Sequence, residues 1–168
     1  MPVQVTEDDR RDRRELERVR LLVLAAQRDG ARRLTDALRP VQLSAAQAEI
    51  IGVLASDGAM SLADLGRRVV CESGSPSRAV DLLVRRGLVA REQDPRDRRY
   101  VELTLTDEGR STIPTLVSAA RSLDDLLVER LTDDELRILA TLLTRLLTGT
   151  RGLDAVERRC GTLAHRDD

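Results

Sequence analysis

The stretch Ser75-Pro76-Ser77-Arg78-Ala79-Val80-Asp81-Leu82-Leu83-Val84-Arg85-Arg86-Gly87, with the residues after it to Leu105, decides the fold. Ser75 followed by Pro76 reads as a helix N-cap with proline at the first helical position, where its missing N–H costs nothing. Ala79, Leu82 and Leu83 are expected to set the inward face of that helix. Gly87 suits the left-handed position just past a helix C-terminus. The apolar period then changes. Leu88-Val89-Ala90-Arg91 and Tyr100-Val101-Glu102-Leu103-Thr104-Leu105 read as two strands, and Asp94-Pro95-Arg96-Asp97-Arg98-Arg99 between them as a charged hairpin tip.

Upstream, Ser61 caps a short helix bearing Leu62, Leu65 and Val69, and Cys71-Glu72-Ser73-Gly74 forms a polar break. Ser44-Ala45-Ala46-Gln47 is a capping box opening a helix that turns Ala48, Ile51 and Leu54 inward. A longer helix is expected from Glu15, with Leu16, Val19, Val23, Ala26, Leu34 and Leu38 on one stripe and Pro40 ending it. Downstream, Thr106 caps a helix carrying Ile113, Leu116, Val117, Ala120, Leu123 and Leu127, which Pro114 must kink or restart. Thr132-Asp133-Asp134-Glu135 is a second capping box, and Leu136, Leu139, Leu143, Leu146 and Leu147 stripe the helix that follows. The expected fold is mostly α. Residues 44–106 form a winged helix-turn-helix lobe, and residues 15–39 and 107–148 form a helical dimerisation layer. Residues 1–14 and 150–168 read as flexible tails.

Composition narrows the function. Of 168 residues, 41% are apolar, yet there is no Trp, no Phe and one Tyr, so the core is aliphatic. That argues against aromatic cages and against single-strand binding by base stacking. All 28 basic residues are arginine, and the formal net charge is −1. The charge is unevenly spread. Between Arg67 and Arg99 nine arginines face five acids, whereas between Thr106 and Thr148 five face eight. Two cysteines make no secreted disulfide framework, and Met1-Pro2-Val3-Gln4 opens no signal peptide, so a cytoplasmic location is expected. The one histidine, His165, leaves no metal set, and no cofactor is expected. With no glycine-rich phosphate loop and no nucleophile–base pairing, the chain does not read as an enzyme.

Two short helices, a break and a charged hairpin make a winged helix-turn-helix pattern, whose second helix enters the major groove of duplex DNA. Its outward face presents Ser75, Ser77, Arg78, Asp81 and Arg85. Arg78, near the helix N-terminus, suits a bidentate contact to guanine O6 and N7, and Ser75 and Ser77 suit phosphate. The flanking helices carry more leucine than one small lobe can cover, which points to a homodimer. A winged-helix module for protein contacts is the alternative, one expected to lack arginine at the tip and on the second helix. Cys71 has two readings. It is an inert small apolar residue, or a thiol activated by the adjoining helix N-terminus whose oxidation would disturb docking on DNA.

Leu88-Val89-x-Arg91, Asp94-Pro95-Arg96-Asp97-Arg98-Arg99 and Val101-x-Leu103-x-Leu105-Thr106-x-x-Gly109 resemble the wing of the MarR family and its exit into the next helix. Ser75-Pro76-Ser77-Arg78 with Leu82 and Gly87 resembles that family's recognition helix. The resemblance implies a dimer addressing a pseudo-palindromic operator, with Arg96 or Arg98 entering the minor groove and Asp94 and Arg99 bracing the wing. It implies a repressor relieved by a small-molecule effector, bound in a cleft that this chain would line with Leu, Val and Arg. The family's peroxide-sensing branch uses a cysteine near the N-terminus, which this chain lacks.

Overall fold

The computed structural model describes residues 7–70, 76–93 and 101–161. A long helix α1 (Glu7–Ala37) and a 3-10 turn (Arg39–Val41) lead into α2 (Ala45–Asp57). Then come β1 (Met60–Ser61), α3 (Leu62–Gly66), α4 (Pro76–Arg85), β2 (Val89–Gln93) and β3 (Val101–Leu105). The chain finishes with α5 (Asp107–Ser111), α6 (Ile113–Arg130), α7 (Asp133–Leu147) and α8 (Arg151–Cys160).

The caps follow their sequence signals. Ser44 Oγ accepts from Gln47 N while Gln47 Oε1 accepts from Ser44 N, and Thr132 and Glu135 do the same for α7. Ser61 and Thr106 accept from the amides of Asp64 and Gly109. Gly87 sits at φ +70, stopping α4 so that β2 can start. Pro114 restarts rather than kinks the chain. It lies in the first turn of α6, and α5 precedes it as a separate turn.

The three strands form one antiparallel sheet in the order β1-β3-β2, with Met60 opposite Leu103 and Val89 opposite Leu105. The short strand β1 carries little sequence signal, because two residues cannot display a period. The main core lies between this sheet and the helices around it. Ile50, Ile51 and Val53 of α2, Leu65 of α3 and Val80 and Leu83 of α4 meet Leu88, Val89, Leu103 and Leu105. A second, smaller cluster of Leu38, Ala48 and Ala119 joins α1, α2 and α6.

Three expectations are corrected. Leu82 does not face inward: it is 44% exposed, and Val80 takes the core position beside Leu83. At 100° per residue Val80 and Leu83 share a side that Leu82 cannot. The first helix starts at Glu7, before the expected Glu15, because the charged residues ahead of the apolar stripe carry ordinary helix propensity. Residues 151–160, expected to belong to a flexible tail, form α8. Thr150 caps it by accepting from Leu153 N, and Leu153 and Ala155 are buried.

Candidate nucleic-acid interface

Helix α4 rests on α2, α3 and β2. With Val80 and Leu83 sealed into the core, its exposed positions are Arg78, Leu82 and Arg85, and Arg86 is exposed just past its end. Arg78, Leu82 and Arg85 fall within roughly 60° of arc and form one face. Ser77 is half-buried at its side. Ser75, Cys71, Asp94, Arg96, Arg98 and Arg99 lie outside the described residues.

The partners of each arginine separate structural cations from uncommitted ones. Arg91 on β2 bonds Asp81 of α4 (Nη2 to Oδ1, 2.6 Å), tying that helix to the wing stem. Asp81, expected on the DNA-reading face, is therefore half of an internal ion pair. Arg86 donates to the carbonyls of Gln42 (2.6 Å) and Val41 (3.0 Å), anchoring the end of α4 to the loop after α1. Arg68 pairs with Asp57 at 2.8 Å, and Arg67 with Asp64. Among the described residues, neither Arg78 nor Arg85 has an ion-pair or hydrogen-bond partner. The local excess of positive charge thus concentrates on two side chains of one face, next to a hairpin whose tip holds three more arginines in sequence.

Elements beneath this face are held by further contacts that sequence patterning does not reveal. Glu49 of α2 is nearly buried, and its Oε1 accepts from Val70 N (2.7 Å) and from Arg159 Nη1 of α8 (2.8 Å). The C-terminal helix is thereby linked, through one carboxylate, to the segment leading into the helix-turn-helix break. Asp64 is held below the ordinary carboxylate range, chiefly by the Ser61 hydroxyl and then by Arg67 and Arg68. Among the described residues there is no cluster of His, Cys, Asp and Glu able to hold a metal. No helix among them is long and apolar enough to cross a membrane.

Residues 43–109 match the winged helix DNA-binding domain family. The chain is 38% identical over 60 residues to the uncharacterized HTH-type transcriptional regulator YkoM of Bacillus subtilis, a match covering 36% of this chain and 39% of that protein. It is 21% identical over 103 residues to the HTH-type transcriptional repressor MdtR of the same organism, covering 61% of this chain and 66% of MdtR. The chain thus spans less than two thirds of the length of either relative. Among solved structures, a cysteine-to-serine variant of Escherichia coli MarR complexed with operator DNA superposes with a TM-score of 0.69 at 26% identity, covering 79% of this chain and 96% of that one.

A helix-turn-helix backed by a three-stranded wing, with its second helix turned outward, is a winged-helix lobe of the DNA-binding kind that the family match describes. The long α1 lies before that lobe and the α6–α7 pair after it. In fold the chain is similar to MarR-type regulators, and the shared lobe is the winged helix DNA-binding domain.

Proposed function

We propose that this chain is a homodimeric repressor of a promoter with a pseudo-palindromic operator, read by α4 of each protomer in successive major grooves. The observation that carries the reading is the pair Arg78 and Arg85. Both are exposed, and among the described residues both are uncommitted, whereas Arg86 just past the helix end is engaged by the protein itself. Arg78 takes the guanine contact and Arg85 a phosphate. Ser75 and Ser77 serve the backbone, and Arg96 or Arg98 enters the minor groove from the wing, braced by Asp94 and Arg99. The DNA-bound state of the similar E. coli MarR variant and the repressor named among the relatives support this assignment.

The dimer is argued from α7, none of whose residues is buried. Ile138, Leu142 and Leu146 stand 55–63% exposed on it. Leu16, Val19 and Val23 of α1 border an open groove of about 660 Å³ that Leu146 also lines. Apolar surface on this scale needs a partner, and a second copy provides the same stripe in reverse. A small-molecule effector acts by favouring one separation of the two α4 helices, which must match about 34 Å of DNA to bind.

Selection of genomic fragments with the purified protein, then anisotropy titration of the enriched duplex at several salt concentrations, tests the reading. An inverted repeat bound by two protomers, with affinity falling steeply with salt, is the expected result. Arg78→Ala should cost about 1–3 kcal/mol and relax one base position per half-site. A protein that enriches no sequence, or an Arg78→Ala variant as tight and selective as the parent, overturns it.

A further inference from the structure

Leu82 lies on the outward side of α4, along the axis between Arg78 one turn before it and Arg85 one turn after. It is 44% exposed, whereas its chain neighbour Leu83 is completely buried. The core does not need Leu82. The helix packs on α2, α3 and β2 through Val80 and Leu83, and the other large exposed apolar groups concentrate on α1, α6 and α7. Nor can its side chain serve the phosphate backbone, since it offers neither charge nor hydrogen bond. A branched apolar group flanked by two arginines on a major-groove helix has one complementary feature available. In the major groove the donor and acceptor edges of the bases are polar, and the C5-methyl of thymine is the apolar exception.

We propose that Leu82 is a specificity-determining residue that reads a thymine C5-methyl in each half-site, next to the base pair addressed by Arg78. The inference rests on the DNA-binding reading given above and deepens it. Arg78 and Leu82 then form a two-residue code. The guanidinium selects guanine by hydrogen bonding, and the leucine selects thymine over cytosine by burying a methyl that cytosine lacks. The Asp81 carboxylate is paired with Arg91, which leaves it a weaker competitor for an exocyclic amino group beside the leucine.

The test uses the full-length protein and its selected operator, with each thymine of the half-site replaced in turn by deoxyuridine. That change removes the methyl and leaves base pairing intact. For the wild-type protein, one symmetric pair of replacements should weaken binding by about fifteenfold, about fourfold for each methyl left unburied. The other thymines should have a much smaller effect. Leu82→Ala should bind the thymine operator more weakly and show no preference for it over the uracil operator. Leu82→Met, which keeps an apolar tip, should retain the preference. If the wild-type protein binds its operator but ignores every methyl, or if Leu82→Ala discriminates as well as the parent, the assignment of Leu82 fails while the DNA-binding reading stands. If no duplex is bound specifically, both fail together.

Discussion

Replacing Gly109 by alanine should unfasten the wing from the recognition helix. Gly109 occupies the first turn of α5, and a Cβ there would lie 2.1 Å from the carbonyl oxygen of Leu88 and 3.3 Å from Leu105 Cδ2. The obstructing atom is backbone, so no side-chain rotation relieves it, and the two segments must part by roughly 1 Å. That carbonyl also accepts from Thr106 N at 3.2 Å. The Thr106 hydroxyl accepts from Gly109 N and donates to Gly87 O at 2.6 Å. One small junction thus joins the end of α4, the start of β2 and the cap of α5. Overpacking at such a point costs about 1–3 kcal/mol, and loss of the Thr106–Leu88 hydrogen bond adds about 1 kcal/mol. The better helix propensity of alanine returns about 1 kcal/mol. The net destabilisation is about 1–3 kcal/mol, which lowers the melting temperature by roughly 3–10 °C in a chain of this size. The measurement is thermal and urea unfolding at one fixed protein concentration, because dimerisation makes the midpoint concentration-dependent. Gly52→Ala is the control. Its Cβ meets nothing within 4 Å inside α2, so it should leave stability unchanged or raise it. If Gly109→Ala melts with the wild type, the close approach of α5 to Leu88 is wrong.

The remaining expectations follow from single contacts. Arg85 and Arg86 are adjacent, but only Arg86 is bonded to carbonyls of the protein. Arg85→Ala should therefore reduce the slope of log affinity against log salt by about one for each protomer, while Arg86→Ala leaves the slope unchanged and costs about 1 kcal/mol of stability. Equal salt slopes in the two variants would contradict the division. Arg159→Ala removes the α8 partner of the nearly buried Glu49 and should destabilise the fold by about 1–2 kcal/mol, with Glu49→Gln in the same background recovering part of the loss. Full additivity of the two changes in a double-mutant cycle would show that the pair is not coupled. The Glu135 carboxyl is held below the ordinary range by the backbone N–H and then the hydroxyl of Thr132. A depressed carboxyl contributes stability above its unfolded pKa and loses it as pH falls through its folded one. Thr132→Ala should accordingly raise the Glu135 titration midpoint seen by NMR and flatten the acid side of the stability profile; an unmoved midpoint would remove the hydroxyl from the cause.

Most of the fold was legible because its signals are local. Ser44 with Gln47, Thr132 with Glu135 and Gly87 each announce a helix end through a side chain or backbone freedom that acts within four residues. The recognition helix and its orientation were only half legible. Arg78 and Arg85 could be placed outward by counting, but Ala79, Val80, Leu82, Leu83 and Val84 offer apolar side chains around much of the helix. Counting cannot say which of them the core takes until α2 and the sheet are in place. The same limit hid β1, whose two residues acquire strand geometry only from pairing with β3.

Long-range polar pairs lay beyond sequence reading for a different reason. Asp81 and Arg91 are ten residues apart, Arg86 reaches back to Val41 and Gln42, and Arg159 reaches Glu49 across most of the chain. A charged residue on an exposed face looks the same in sequence whether it will meet a protein carbonyl, a carboxylate or a phosphate. The difference bears directly on function. Of the described arginines between 67 and 91, four are committed to the protein, so the excess of charge that marks the region as a DNA-binding lobe overstates how many cations are available to DNA. On the proposed reading, specificity rests on a small uncommitted set. With Arg78 and Arg85 as the charged members among the described residues, the leucine between them becomes informative, because a face built only to neutralise phosphate would have no use for it.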